Sequence, residues 1–467
     1  MKTADVATRL SVATLFVVLC GCGDSTAGSP DSGNDAGGEQ WKLEWVGDGM
    51  PGTVAASGQL ELSTQVTLGD VAQSGVTVSF EIVFGGGMIS QAAVVTDASG
   101  IASTTWTAGP ISGRAVLRAS IDQAAVFIDH HVDVAAVQPL VPQPFGDVGA
   151  LLEGAGIDGS TEGLVFDDAG RLFLAVPGNL VAMRPDGTAQ LVPVDGDGLT
   201  SPLGMAWDYL RKVIWVADAG SVRKVSISEV GGTITATATT MAGFDGLVTP
   251  NSVAIADNRY VYFTDSCTGG VYRFQPDADT VVLETVAMFD VTVRGGPNGL
   301  AFDGSGLLWV TTENVGLLCP DSGADVTLNH GGLYSIDLSG GLAGGPVQPT
   351  PRLEGFAMFG DGLAFDADGT MYVIFDMFDG FTLTDSSVWV VPASADEPPY
   401  KVISAPVPDG ATSPDRLIAN IAWGYDEFGS SRLYMSLLAV VLVVSERGAM
   451  VVDVGIGGQS LLPADLP

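Results

Sequence analysis

The stretch Gly299-Leu-Ala-Phe-Asp303, followed by Leu307-Leu-Trp-Val310, decides how most of this chain folds, because it recurs. Each copy has a small residue, an apolar run, a turn of Asp and Gly type, and a second apolar run. Gly163-Leu-Val-Phe-Asp167 precedes Leu172-Phe-Leu-Ala175, and Gly204-Met-Ala-Trp-Asp208 precedes Val213-Ile-Trp-Val216. Ser252-Val-Ala-Ile255 precedes Val261-Tyr-Phe-Thr264, and Gly362-Leu-Ala-Phe-Asp366 precedes Met371-Tyr-Val-Ile374. Asn420-Ile-Ala-Trp423 with Arg432-Leu-Tyr-Met435 is the sixth and least regular copy. The copies begin at 163, 204, 252, 299, 362 and 420, so the spacings are 41, 48, 47, 63 and 58. Four strands with their turns need ~40–50 residues, so each copy predicts one blade of a six-bladed β-propeller, with insertions in the later blades. A blade exposes two apolar faces that only its neighbours can cover, which forces the repeat to close into a ring. The segment 140–152 is expected to add a strand to the last blade, and the apolar run Leu437–Val444 is too short for a membrane span and predicts a buried strand.

Upstream, residues 41–137 alternate with period 2, as in Leu60-Glu-Leu-Ser-Thr-Gln-Val66 and Val76-Thr-Val-Ser-Phe-Glu-Ile82. Such alternation sets one strand face on a core and the other in water. About seven runs between Gly, Asp and Ser turns predict a small β-sandwich. His130 and His131 are adjacent on a strand, so they point to opposite faces and do not pair on one metal.

Composition agrees with an all-β chain. Gly accounts for 62 of 467 residues, well above the usual ~7%, as many tight turns require. Hydrophobic residues make up 46% and charged residues 16%, which excludes a charge-rich disordered chain. The formal net charge of −35 repels phosphate backbones, so no nucleic-acid partner is expected.

The first residues read as an export leader: Lys2 and Arg9, then an apolar run from Leu10 to Cys20, too short to cross a bilayer. Leu19-Cys-Gly-Cys22 resembles a bacterial lipobox. That resemblance implies cleavage after residue 21, lipidation of Cys22 and anchoring in the cell envelope; the alternative is an ordinary secretory signal. Gly23 after the cysteine points to the outer membrane or cell surface rather than the inner membrane. Residues 22–40 are Gly, Ser, Asp and Asn with almost no apolar side chain, and predict a flexible linker. Of four cysteines, Cys267 and Cys319 remain. In an exported chain they are expected as one disulfide, with two separate buried thiols as the alternative. No CxxC or Cys/His cluster with zinc spacing occurs. The predicted organisation is therefore a signal over 1–21, the linker over 22–40, the sandwich over 41–137 and the propeller over 138–467.

In a propeller, residues just before each innermost strand reach the mouth of the central channel. These positions hold Thr161-Glu162-Gly163, Pro250-Asn251-Ser252, Pro297-Asn298-Gly299, Gly360-Asp361-Gly362 and Ala419-Asn420-Ile421, while the second copy has Pro202-Leu203-Gly204. Two carboxylates, Glu162 and Asp361, with the amide oxygens of Asn251 and Asn298, form a hard-cation donor set suited to calcium. Softer metals want His or Cys, which these positions lack. Asn and Asp are also ordinary turn formers, but a carboxylate in the channel, Glu162, requires a partner. His330, in Leu328-Asn-His-Gly331, is an auxiliary base or simply a loop histidine, and Asn420 offers a further amide.

This arrangement resembles the calcium-dependent six-bladed propellers of the regucalcin/gluconolactonase family and their paraoxonase and strictosidine-synthase-like relatives. The resemblance covers about residues 140–455. Glu162-Gly163, Asn251, Pro297-Asn298-Gly299 and Asp361-Gly362 stand at the family's ligand positions, and Val261-Tyr-Phe-Thr-Asp-Ser266 looks closer to the strictosidine-synthase and paraoxonase branch. It implies a calcium-dependent hydrolase of a lactone or other ester, with Asp361 activating water or positioning the substrate. Leu164 replaces the family's proline, and Val248 and Thr249 stand where many sugar lactonases carry arginine, so an aldonolactone is not implied. Thr96-Asp-Ala-Ser-Gly-Ile-Ala102 is similar to the hairpin of invasin/intimin-type bacterial Ig-like domains, which implies a stalk or a binder of a cell-surface partner.

Three readings follow from the residues: a lipid-anchored hydrolase, a non-catalytic NHL-type scaffold, and an adhesin acting through the sandwich. Phe378, Phe381 and Trp389 in the late insertions line a substrate pocket in the first reading and a partner surface in the second.

Overall fold

The computed structural model describes residues 40–454 except 47–51, 56–57, 85–86, 110–112, 122–123, 136–138, 158–160, 242–243, 257–259, 317, 381, 394–398, 409–410, 412–413, 415 and 439–447. The expected signal, Cys22, Phe381 and nearly all of the linker lie outside the described residues. The protein is all-β: 57% of the described residues are strand and 4% helix.

Two five-stranded sheets form the sandwich. One orders Trp41–Trp45, Gln59–Leu68, Ile101–Ala108 and Gly87–Ile89, with Val71–Ala72 on the second of these; the other orders Thr53–Ala55, Val126–Ala135, Gly113–Ile121, Thr77–Phe84 and Ala93–Val95. The alternation works as expected: Leu60, Leu62, Thr64 and Val66 are buried and the residues between them are not. Trp106, Phe80, Leu117 and Val132 fill the shared core. Asp97 shapes the hairpin before residue 101, its Oδ1 accepting the amides of Ser99 at 2.7 Å and Ile101 at 2.9 Å. His130 sets its ring edge-on to Trp45, with centroids 5.9 Å apart, while His131 is exposed.

Six four-stranded blades follow, and the innermost strands are Leu164–Phe166, Met205–Asp208, Pro250–Ile255, Gly296–Phe302, Phe359–Phe365 and Leu417–Trp423. Each touches the next, and the last returns to the first. Closure is circular: Gln143–Pro144 pairs with Gly448–Asp453 as the outermost strand of blade 6. Only this part of 140–152 is a paired strand; Leu140 makes a single bridge to Ile403 of blade 5. Val148–Ala155 is a helix, capped by Asp147 and ended by Gly156 in the left-handed region. Its Val148 and Leu152 are buried among Phe145, Phe166, Phe428 and Tyr434. Period-2 reading missed it because an eight-residue helix needs only those two contacts to dock.

Two seams tie blades beyond side-chain packing. The outer strands of blades 1 and 2 pair in parallel through Val194–Ala236 and its neighbours. Between blades 4 and 5, Glu313 pairs with Phe359. The aspartate of the repeat has a purely structural use. In blade 4, Asp303 Oδ1 accepts the amides of Ser305 and Leu307, and Oδ2 accepts Trp309 Nε1 at 2.9 Å. Asp208 and Asp366 act the same way on Trp215 and Tyr372. These residues close the turn and satisfy an aromatic donor in the next strand.

The small residue of the repeat marks where innermost strands crowd together. A Cβ on Gly204 would stand 2.5 Å from the Asn251 carbonyl oxygen, and one on Gly299 2.3 Å from that of Asp361. Since both obstacles are backbone, they cannot swing aside. Gly299→Ala is expected to destabilise the ring by at least ~1–3 kcal/mol, the range for overpacked sites. Thermal melting would show it, and an unchanged midpoint would refute the crowding argument.

Candidate functional site

Every residue that reaches the channel mouth from blades 3, 4 and 5 sits in a β-bulge. The register with the second strand shifts between Pro250 and Val253, between Pro297 and Leu300, and between Gly360 and Leu363. A bulge re-aims a side chain that regular pleating would bury between blades. Asn251, Asn298 and Asp361 are the residues so re-aimed, and Glu162 takes the corresponding place in blade 1. In blade 6 the bulge lies between Ile418 and Asn420, so Ala419 takes that place. Asn420 falls one position on, at the register of the glycines, where its Oδ1 stands against Gly362. The sequence expectation for Asn420 is corrected accordingly.

The backbone of each of these residues is clamped by the preceding blade around the ring. Thr264 Oγ1 donates to Asn298 O at 2.7 Å and Thr311 Oγ1 to Asp361 O at 2.7 Å. Ser436 of blade 6 donates to the carbonyl of Glu162, and Gly204 N of blade 2 to Asn251 O at 2.5 Å. Donor and acceptor are buried in each pair, so each clamp is costly to break.

Two further carboxylates stand on the second strands. Glu313 closes Leu308–Glu313 in blade 4, and Asp376 lies in Met371–Asp379 of blade 5. Glu162, Glu313, Asp361 and Asp376 are all at most 5% exposed. Burial pushes Glu162 up to about 8, with the Glu313 charge adding to it. Asp361 is pushed well above the carboxylate range by burial and then by Glu162, Asp376 and Glu313, against the Gly362 amide. Burial takes Glu313 up to about 7, although Ser266, Asn298 and Asn251 stabilise its ionised form. Asp376 is also pushed well up by burial, offset by Ser386 and reinforced by Asp385. Despite the nearby Ser386, neither Asp376 oxygen has a partner in hydrogen-bonding geometry. Among the described residues none of the four forms an ion pair with Lys, Arg or His.

Sequence reasoning missed Glu313, Asp376 and Ser266, yet a signal exists. Asn251 and Ser266, Asn298 and Glu313, and Asp361 and Asp376 are all fifteen apart. That spacing is one bulge, one turn and one strand, which returns the chain to the same end of the blade.

The rim carries the expected disulfide. Cys267 of blade 3 and Cys319 of blade 4 are bonded, with Cα atoms 5.6 Å apart. His330 is buried nearby in the chain, and its Nδ1 lacks a partner. Burial lowers its pKa, and the Asp325 charge opposes this. Phe378 packs on Phe359 at 5.3 Å near the mouth. Trp389 pairs with Val373 toward the other end of blade 5, against Phe356, and does not line the mouth.

No protein-family model matches the chain, and no curated protein matches it in sequence. Among solved structures the chain is similar to a gluconolactonase from Xanthomonas campestris, at 18% identity over 68% of this chain and 95% of that one, with TM-score 0.40. It is similar to virginiamycin B lyase from Staphylococcus aureus at 11% identity, covering 66% and 87%, with TM-score 0.38. A domain of intimin is similar at 23% identity over 20% of this chain and 46% of that one, with TM-score 0.18. Likenesses of this size assign no activity. The class is set by the topology above: an Ig-like sandwich followed by a six-bladed propeller with buried carboxylates and amides at its channel.

Proposed function

We propose that the channel holds a divalent cation of the calcium type and that the protein hydrolyses an ester, with lactones the leading class. One observation supports this above the rest: four buried carboxylates share the site with no basic partner among the described residues. Burying such charge unpaired is prohibitive, so a site built this way calls for a cation or for protons. The orphaned oxygens of Asp376 favour the cation, because a satisfied protonated network would leave none. The donor set is all oxygen, as a hard ion requires. Among the described residues no three Asp, Glu, His or Cys side chains gather closely enough to hold a metal by themselves, so the amides must contribute.

Glu162 and Asp361 would balance the charge, and Asn251 and Asn298 would add neutral oxygens. Bound there, calcium supplies a Lewis acid that polarises an ester carbonyl. Asp361 takes the proton of the attacking water and returns it to the departing alkoxide, leaving an acid and an alcohol. Blade 2 presents Leu203 to the same mouth, a wall for an apolar part of the substrate. We further propose that the chain is exported and held in the bacterial cell envelope through lipidated Cys22, with the sandwich as a stalk.

Initial rates on neutral aryl esters and lactones test the reading in the full chain. Hydrolysis should require calcium, vanish with chelator, and fall roughly 10²–10⁴-fold in Asp361→Asn. Calcium binding without hydrolysis would leave a non-catalytic scaffold with a structural ion. No calcium binding at millimolar concentration would remove the metal and the hydrolase together.

A further inference from the structure

Glu313 lies where three blades meet. Its backbone pairs with Gly296 in its own blade and with Phe359 of blade 5, while its carboxylate receives Asn251 Nδ2 of blade 3 at 3.2 Å. Asn251 Nδ2 also donates to Ser266 Oγ at 3.2 Å, and Ser266 directs its own proton to Pro297 O at 3.0 Å. Both hydrogens of the Asn251 amide are thereby committed, and its Oδ1 is left as the free acceptor. An ionised carboxylate has acceptor sites and no donor, so an amide facing it must present nitrogen.

We propose that Glu313 is a positioning residue: by taking an amide hydrogen of Asn251 it turns that residue's Oδ1 toward the channel axis, where a hard cation binds. This rests on the cation reading given above. Glu313 acts through the Asn251 amide. Such supporting contacts change metal affinity roughly 10–100-fold in known sites.

Glu313→Gln keeps the volume but replaces an acceptor-only group by an amide that can present either oxygen or nitrogen to Asn251, so the fixed orientation of that Oδ1 is lost. Calorimetric titration of the chelator-stripped full chain with calcium should show a 10–100-fold loss of affinity in Glu313→Gln. Glu313→Asp keeps an acceptor-only group and should retain more affinity than Gln. The metal-free melting temperature of Glu313→Gln should not fall, because removing a buried charge cannot hurt an empty site. A Gln variant that binds like the wild type overturns the proposal. So does one that melts lower, or fails to fold, without calcium, since that assigns Glu313 to stability. A wild-type chain that binds no calcium defeats the underlying cation reading instead, which separates the two failures.

Discussion

Glu162→Gln is expected to abolish calcium binding and yet raise the melting temperature of the metal-free chain at pH 8. The sign follows from the direction of the shifts. Glu162 moves from 4.5 in the unfolded chain to about 8 in the fold, and Glu313 from 4.5 to about 7. Between these limits the native state holds protons that the unfolded state has released, so metal-free stability falls as pH rises from about 4.5 through 8. Above pH 8 the cost is complete, on the order of 3–5 kcal/mol for Glu162 by the usual conversion. A neutral glutamine escapes it. Calcium reverses the slope, because binding needs the ionised carboxylates and so tightens with pH and releases protons. At a hundredfold excess over its dissociation constant it stabilises by ~2.7 kcal/mol. Melting curves at pH 5 and pH 8, with calcium and with chelator, test all of this. A metal-free midpoint that rises toward pH 8 would mean the carboxylates are already compensated.

Reducing the Cys267–Cys319 bond is the second large effect. The cysteines are 52 residues apart, and closing a loop of that length stabilises by up to about 4 kcal/mol in the chain-entropy account. The bond also lies one residue after Ser266 and six after Glu313, so it ties together the segments that orient the Asn251 amide. Reductant, or Cys267→Ser with Cys319→Ser, should lower the melting temperature by several degrees and weaken calcium binding. A lower midpoint with unchanged affinity would confine the bridge to stability. No change in either would make it dispensable.

Much of the site was legible because its residues recur in register. Glu162, Asn251, Asn298 and Asp361 precede the same repeated strand, and six copies of one pattern can close only as a ring. Asn420 misled for the same reason: aligned by its Ile-Ala-Trp it matches the other blades' glycines, and the bulge that gives Ala419 the channel position leaves no mark in composition. Glu313 and Asp376 went unread because they lie on second strands, away from the positions just before each innermost strand. Nothing local distinguishes either carboxylate from Asp265, which caps the amides of Val248 and Thr249 in its own blade.

The sequence alone determined the strand periodicity, the number of blades, the two domains' order, the expected pairing of the two cysteines and the residue types at the mouth. These are set by local alternation, turn chemistry and repeat length, which act over a few residues at a time. Only the tertiary structure decided which carboxylates share the site, how Glu313 meets Asn251 across blades, and that Asp376 is left without a partner. Charge coupling and burial depend on distance through space, and the ring brings blade 1 against blade 6 and opposite blade 4 whatever their separation in the chain.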